Sequence, residues 1–227
     1  MAARNNRACL FPLCTRRSCM VPTWRGWLLL LCLAVALLTF AVRGVYSFLA
    51  PNDPVPGGIL VVEGWAGDDV LAGVIDEFKR NHYDGLFVTG GPLDKGAPLS
   101  EYKTYPELTV ATLVKMGFDP KRLHAVPSGA VEKDRTYSSA MALKVWLRAH
   151  GMAASRINVI SVGPHARRTR YLFQKTFGDS AKVGVLAFGE AGFDPKRWWA
   201  SSQGFRSVTG EMLAYLYARL LFCAPKG

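Results

Sequence analysis

The sequence predicts a three-layer α/β/α domain with a mostly parallel sheet, preceded by one N-terminal transmembrane helix. Three observations carry this. Five short apolar runs recur between residues 59 and 188, separated by stretches with helical periodicity. Each run stops at a glycine or a polar turn. Ahead of them stands a greasy leader with no acidic residue. Strict alternation of short apolar strands with helices makes a sheet covered on both faces, an architecture called Rossmann-like.

The elements follow in order. Ile59–Val62 is bounded by turn residues and reads as the first strand. Asp68–Asn81 places Val70, Leu71, Val74, Ile75 and Phe78 on one helix face. Leu86–Thr89 is the second strand, closed by Gly90, Gly91 and Pro92. Pro106–Met116 reads as a helix, with proline in its first turn and Gly117 just past its end. Leu123–Val126 is a weaker third strand. Thr136–His150 is an amphipathic helix with Gly151 as its terminal cap. Ile157–Val162 is the fourth strand, and His165–Phe177 a helix stopped by Gly178. Lys182–Phe188 is the fifth strand, and Glu211–Phe222 a last helix, apolar on most sides. The hexapeptide GFDPKR occurs at 117–122 and 192–197 and reads as one helix-exit turn used twice.

The leader predicts where the domain is kept. Residues 27–42 are apolar except for Thr39, and residues 45–50 continue the run beyond Arg43. Sixteen helical residues span roughly 24 Å, so the extension is needed to cross a bilayer core of ~30 Å. Arg43 can snorkel, and Trp24, Trp27 and Tyr46 sit where interfacial aromatics belong. Arg4, Arg7, Arg16, Arg17 and Arg25 precede the span and only Arg43 follows closely, which places the N-terminus in the cytoplasm and the domain outside. In a bacterium that is the inner membrane, with a periplasmic domain. A cleaved signal peptide is the alternative, since Thr39-Phe40-Ala41 is a passable cleavage site. A mitochondrial presequence fits the Arg-rich, acid-free leader but not its long apolar core. The expected organisation is a basic segment at 1–26, an anchor at 27–50, a linker at 51–58 and the α/β domain at 59–223.

Charge and cysteine content narrow the function classes. The net charge is +11, but the first fifty residues contribute six arginines and no acid. The remainder carries 22 basic and 17 acidic residues and is only mildly basic. That suits an anionic small ligand or a membrane surface and argues against nucleic acid, which needs a concentrated basic face. Cys9, Cys14, Cys19 and Cys32 lie in the leader and Cys223 near the end, so the domain body holds no disulfide framework. Zinc ligation needs tighter pairs and four ligands.

Ligands of such sheets bind beyond the carboxyl ends of the strands. Glu63 follows the first strand, ahead of Gly64 and Trp65, as a general base or hydrogen-bond partner, or as a surface carboxylate in a turn. Gly64, Gly90 and Gly91 let the backbone approach a ligand. Glu101 follows a polar loop, placed to fold over a site or to cap the next helix. Arg135 pairs with phosphate or carboxylate, and Thr136 offers a hydroxyl or an N-cap. His165 is a candidate proton carrier, and Arg168 shares its helix face. Arg167 and Arg170 point elsewhere, into solvent. Trp198 and Trp199 wall the pocket, touch lipid or pack in the core. No histidine spacing or acid cluster indicates a metal. GxGxxG after the first strand, GxxxxGK[ST] and GxSxG are all absent.

Five segments in order and spacing, VVEGW at 61–65, VTGGP at 88–92, SEY at 100–102, DRTYSSA at 134–140 and GPHARR at 163–168, resemble the YdcF/SanA/ElyC family (domain of unknown function 218). The resemblance spans about residues 58–220. It implies a Rossmann-like fold, and a single-pass inner-membrane protein involved in cell-envelope integrity. It places Glu63, Gly90, Gly91, Glu101, Arg135, Thr136, His165 and Arg168 in one pocket. One soluble member of the family is reported to bind S-adenosylmethionine. This chain departs from the pattern at Glu63-Gly64-Trp65 and at Ser138-Ser139, where an asparagine is frequent. Both departures touch the expected pocket. The expected function is binding of an anionic small molecule, a phosphorylated lipid or sugar, with hydrolase or transferase chemistry in envelope biogenesis. Glu63 and His165 are its acid/base pair. The rival functions are a non-catalytic envelope scaffold and an S-adenosylmethionine- or nucleotide-binding domain. The sequence identifies no cofactor.

Overall fold

The computed structural model describes residues 22–189 and 192–224. Most of the basic segment at 1–26, with Cys9, Cys14 and Cys19, lies outside them. The chain divides into two units, residues 1–41 and 42–227. The first contains most of helix α1 (Trp24–Leu49), which is long and apolar enough to cross a membrane and buries none of that apolar stretch.

The second unit is an α/β domain. Strands β1 (Ile59–Glu63), β2 (Leu86–Gly90), β3 (Leu123–Pro127), β4 (Arg156–Val162) and β5 (Lys182–Phe188) form one sheet, ordered β3-β2-β1-β4-β5. Every pairing is parallel. Between the strands run α2 (Asp68–Arg80), α3 (Tyr105–Lys115), α4 (Arg135–Ala149) and α5 (Ala166–Phe177), and α6 (Ser202–Leu220) closes the chain. The period-two alternation of strand side chains builds two cores. Leu60, Val62, Leu86 and Val88 pack with Val70, Leu71, Val74 and Leu113 on one face. Val61, Phe87 and Val159 pack with Ala140, Leu143 and Phe173 on the other.

Strand β1 is central and wholly buried. The chain winds from β1 outward through β2 to β3, then returns to β4 on the opposite side of β1. Connections therefore leave β1 and β4 in opposite directions, which opens a crevice above their carboxyl ends.

Four expectations are corrected. Residues 51–58 are a strap rather than a free linker. The backbone of Asp53 exchanges both hydrogen bonds with Val185, and Val55 does the same with the Asn158 side chain on β4. The last helix begins at Ser202, nine residues earlier than expected, because Ser201 caps it by accepting from the Gly204 N–H. The second GFDPKR follows a strand, not a helix. The two copies share local chemistry instead: Asp119 and Asp194 each accept from the backbone N–H two residues on and open a short 3-10 turn. Finally, the domain begins before residue 51. Leu49 is fully buried, and Val42, Val45 and Tyr46 pack in a cluster with Trp198 and Val208.

Candidate functional site

Above the carboxyl ends of β1, β2 and β4 lies a cavity of about 870 Å³, within the range that takes a small organic ligand. Glu63, at the end of β1, is buried at its wall. A buried carboxylate is costly unless it is paired and hydrogen-bonded, and the sequence supplies every partner locally. Ser161 on adjacent β4 donates to Glu63 Oε2 at 2.6 Å, and Thr169 on α5 donates to the same oxygen at 3.3 Å. His165 lies in the 3-10 turn after β4, one helical turn before Thr169. Its Nε2 stands 3.3 Å from Glu63 Oε1, at ion-pair distance but without hydrogen-bond alignment.

The other side of the ring is held by Glu211, from α6. His165 Nδ1 lies 2.9 Å from Glu211 Oε1. Arg168 clasps the same carboxylate with two bonds, Nε to Oε2 at 2.9 Å and Nη2 to Oε1 at 3.0 Å. Trp65 packs edge-on against the imidazole, with centroids 5.2 Å apart.

Burial alone would discharge all three titrating groups, and the network overrules it. His165 loses solvent, yet the carboxylates of Glu63 and Glu211 push it up to about 9. Glu211 is opposed by burial but held down at about 2 by His165 and Arg168. Burial likewise works against ionised Glu63, and the charge of His165, the Ser161 hydroxyl and the charge of Arg168 outweigh it, so its pKa lies below the ordinary value. At neutral pH the site holds two carboxylates, an imidazolium and a guanidinium. His165 is thus set to give a proton rather than to take one.

The β2 side differs. Thr89 is fully buried against the cavity, and its hydroxyl has no hydrogen-bond partner among the described residues. Gly90 and Gly91 line the wall beside it. A side chain at Gly90 would press on Tyr105 and Pro106. Helix α4 starts at the rim after Asp134, which is left-handed (φ 59°) and places no side-chain cap on the first turn. Arg135 is exposed and pairs with Asp94, its Nη1 at 3.3 and 3.2 Å from the two carboxylate oxygens. Thr136 is buried along the wall.

Glu63, Gly90, Gly91, Arg135, Thr136, His165 and Arg168 thus line one cavity. Two expected residues do not. Glu101 is exposed, and its capping role falls to Thr104, which forms a reciprocal capping box with Glu107. Gly64 is glycine for packing, since a Cβ there would lie 2.9 Å from the Tyr105 backbone. Arg168 is not a free cation. Arg167 stacks on Phe48 and donates to its carbonyl, and Arg170 pairs with Asp53 at 2.8 Å, so neither is simply solvated. Trp198 is buried and donates to the Val42 carbonyl. Sequence reading missed Glu211, Ser161, Thr169 and Thr89. Glu211 left a signal, as the only acid in the helix that carries it.

Among the described residues, no group of His, Cys, Asp and Glu side chains is placed to hold a metal ion. The fold and cavity define an α/β domain with a polar pocket at the switch point of its sheet. No protein-family model and no curated protein matches the chain.

Proposed function

We propose that the chain is a membrane-anchored protein of the bacterial cell envelope whose α/β domain binds an anionic small molecule, a phosphorylated lipid or sugar. The observation that carries this reading is the switch-point cavity, with the unpartnered Thr89 hydroxyl buried in its wall. The uncapped start of α4 adds backbone N–H donors and the positive end of a helix dipole. The lining carries five carboxylates against Lys133, Arg135, Arg168 and His165. An incoming phosphate therefore competes with a resident acid. Arg135 is the cation most easily released, because its partner Asp94 is exposed. The basic flank ahead of α1 and the resemblance to the YdcF/SanA/ElyC family support the envelope location, with α1 as the anchor and the domain on the periplasmic side.

Protonated His165 supports a second step. Beside a phosphate ester it serves as the acid that protonates a departing oxygen, the requirement of a hydrolase or transferase. Glu63 is then the group that keeps His165 charged, since both of its oxygens are engaged inside the ring.

The test is thermal unfolding of the full chain in lipid nanodiscs. Inorganic phosphate, glycerol phosphate, a polyprenyl phosphate, a nucleotide and S-adenosylmethionine are titrated in turn. Phosphate-bearing compounds should stabilise the native state, and Arg135→Ala should remove the effect while leaving the unliganded melting temperature in place. Stabilisation by S-adenosylmethionine alone would favour the nucleotide-type reading. Silence from every compound would leave a scaffold.

A further inference from the structure

Helix α6 has two unlike faces. Gly204, Val208, Glu211 and Ala218 turn inward. Phe205, Leu213, Leu216 and Leu220 recur at intervals of eight, three and four residues, which sets them on one stripe on the opposite side. All four are exposed, Leu213 at 68% and Leu220 at 74%. A stripe of large apolar side chains open to solvent marks a surface with a partner.

The chain itself indicates that partner. The turns of α1 that follow its apolar stretch, at Val42, Val45 and Tyr46, share one cluster with Val208, Met212 and Tyr215 of α6. The Phe48 ring packs on Tyr215 at 5.7 Å. Helix α6 thus packs against the C-terminal turns of α1. Charge agrees: Lys196, Arg197, Arg206 and Arg219 outnumber Asp194 and Glu211, and Glu211 is spent on His165 and Arg168. Half-exposed Trp199 sits just ahead of the helix, a residue type enriched at lipid interfaces.

We infer that the outer face of α6 lies in the lipid interface, its exposed apolar stripe at the acyl boundary and its flanking basic side chains on anionic headgroups. This rests on the anchor reading of α1 and goes beyond it. One helix would then carry a cavity wall on its inner side and the membrane contact on its outer side.

The test uses the full chain with its five cysteines replaced by serine. Single spin labels are attached at Leu213→Cys and Leu220→Cys on α6, at Leu37→Cys in α1, and at Leu99→Cys as an exposed reference. The protein is reconstituted in vesicles of equal parts phosphatidylcholine and phosphatidylglycerol, and collisions with oxygen and with a water-soluble nickel chelate are compared. Both α6 labels should fall between Leu37 and Leu99, with oxygen favoured over nickel relative to Leu99 but less than at Leu37. Nickel access at α6 equal to that at Leu99, with Leu37 in lipid, would overturn the α6 assignment and leave the anchor standing. Exclusion of both reagents at α6 would mean a protein covers the face, and overturns it too. Nickel access at Leu37 would remove the anchor reading and this inference with it.

Discussion

The two ends of the cavity solve the same problem in opposite ways. On the β1–β4 side, four charges sit inside a ring in which each is balanced by another. On the β2–α4 side, Arg135 and Asp94 form one pair, with 69% and 59% of their side chains exposed. The first arrangement is expensive to break, because removing a member strands a charge away from water. The second is screened by solvent and cheap to break. The ring is therefore suited to fix a protonation state, and the exposed pair is suited to exchange partners with a ligand.

Glu63→Ala gives the largest effect. It deprives His165 of one counter-charge and leaves the buried Ser161 and Thr169 hydroxyls only each other, at a cost of about 3–5 kcal/mol. Denaturant unfolding of the full chain in detergent measures it. A cost below about 1 kcal/mol, the scale of an exposed ion pair, would show that the ring does not hold as a unit. Glu211→Gln should cost less, about 2 kcal/mol, since a fifth of that side chain reaches solvent.

The same ring sets the pH dependence of stability. His165 is raised from 6.5 to about 9, so its contribution is complete below 6.5 and is lost as pH climbs through 9. Glu211 is lowered from 4.5 to about 2, so its contribution is complete above 4.5 and fades as pH falls toward 2. Stability from these two groups is flat between 4.5 and 6.5 and declines on either side. In Glu211→Gln the alkaline decline should still begin near 6.5 but end at lower pH, with the His165 ring protons in NMR titrating earlier. An unmoved His165 titration would mean that Glu211 does not hold its proton.

How much of this was legible beforehand follows from how each part is encoded. The strands were readable because each is a short apolar run ending at a turn. So were Glu63, His165 and Arg168, because strand ends and helix starts are local signals. Strand order was not, since hydrophobic runs such as Ile157–Val162 say nothing about their neighbours. Nor was the pairing of Glu211 with His165, which joins residues 46 apart through the packing of α6. The strap at 51–58 read as a linker because its proline and glycine content hides hydrogen bonds made by a distant asparagine, Asn158. The sequence told which groups reach the rim of the sheet, but not which of them would already be spent on one another.

Thr89 sharpens the comparison from inside the wall. Its hydroxyl is desolvated without recompense, so Thr89→Val, which keeps the shape, should raise stability by about 1 kcal/mol. It should also weaken phosphate binding. A loss of stability would mean the hydroxyl already has a partner, and the β2 side would then carry no unfilled donor.

The smallest structural effect belongs to the exposed pair, and it separates the two ends most cleanly. Asp94→Asn should leave unfolding unchanged to within about 0.5 kcal/mol, as expected for a solvated ion pair. It should nonetheless tighten binding of inorganic phosphate, because Arg135 no longer has to give up a resident carboxylate. That gain should shrink as salt rises and screens the charges. The measurement is the phosphate-induced shift in melting temperature, compared with wild type at low and high ionic strength. If the substitution leaves phosphate binding alone at both, Arg135 does not meet the ligand and the anion must be held deeper, against Thr89 and the start of α4.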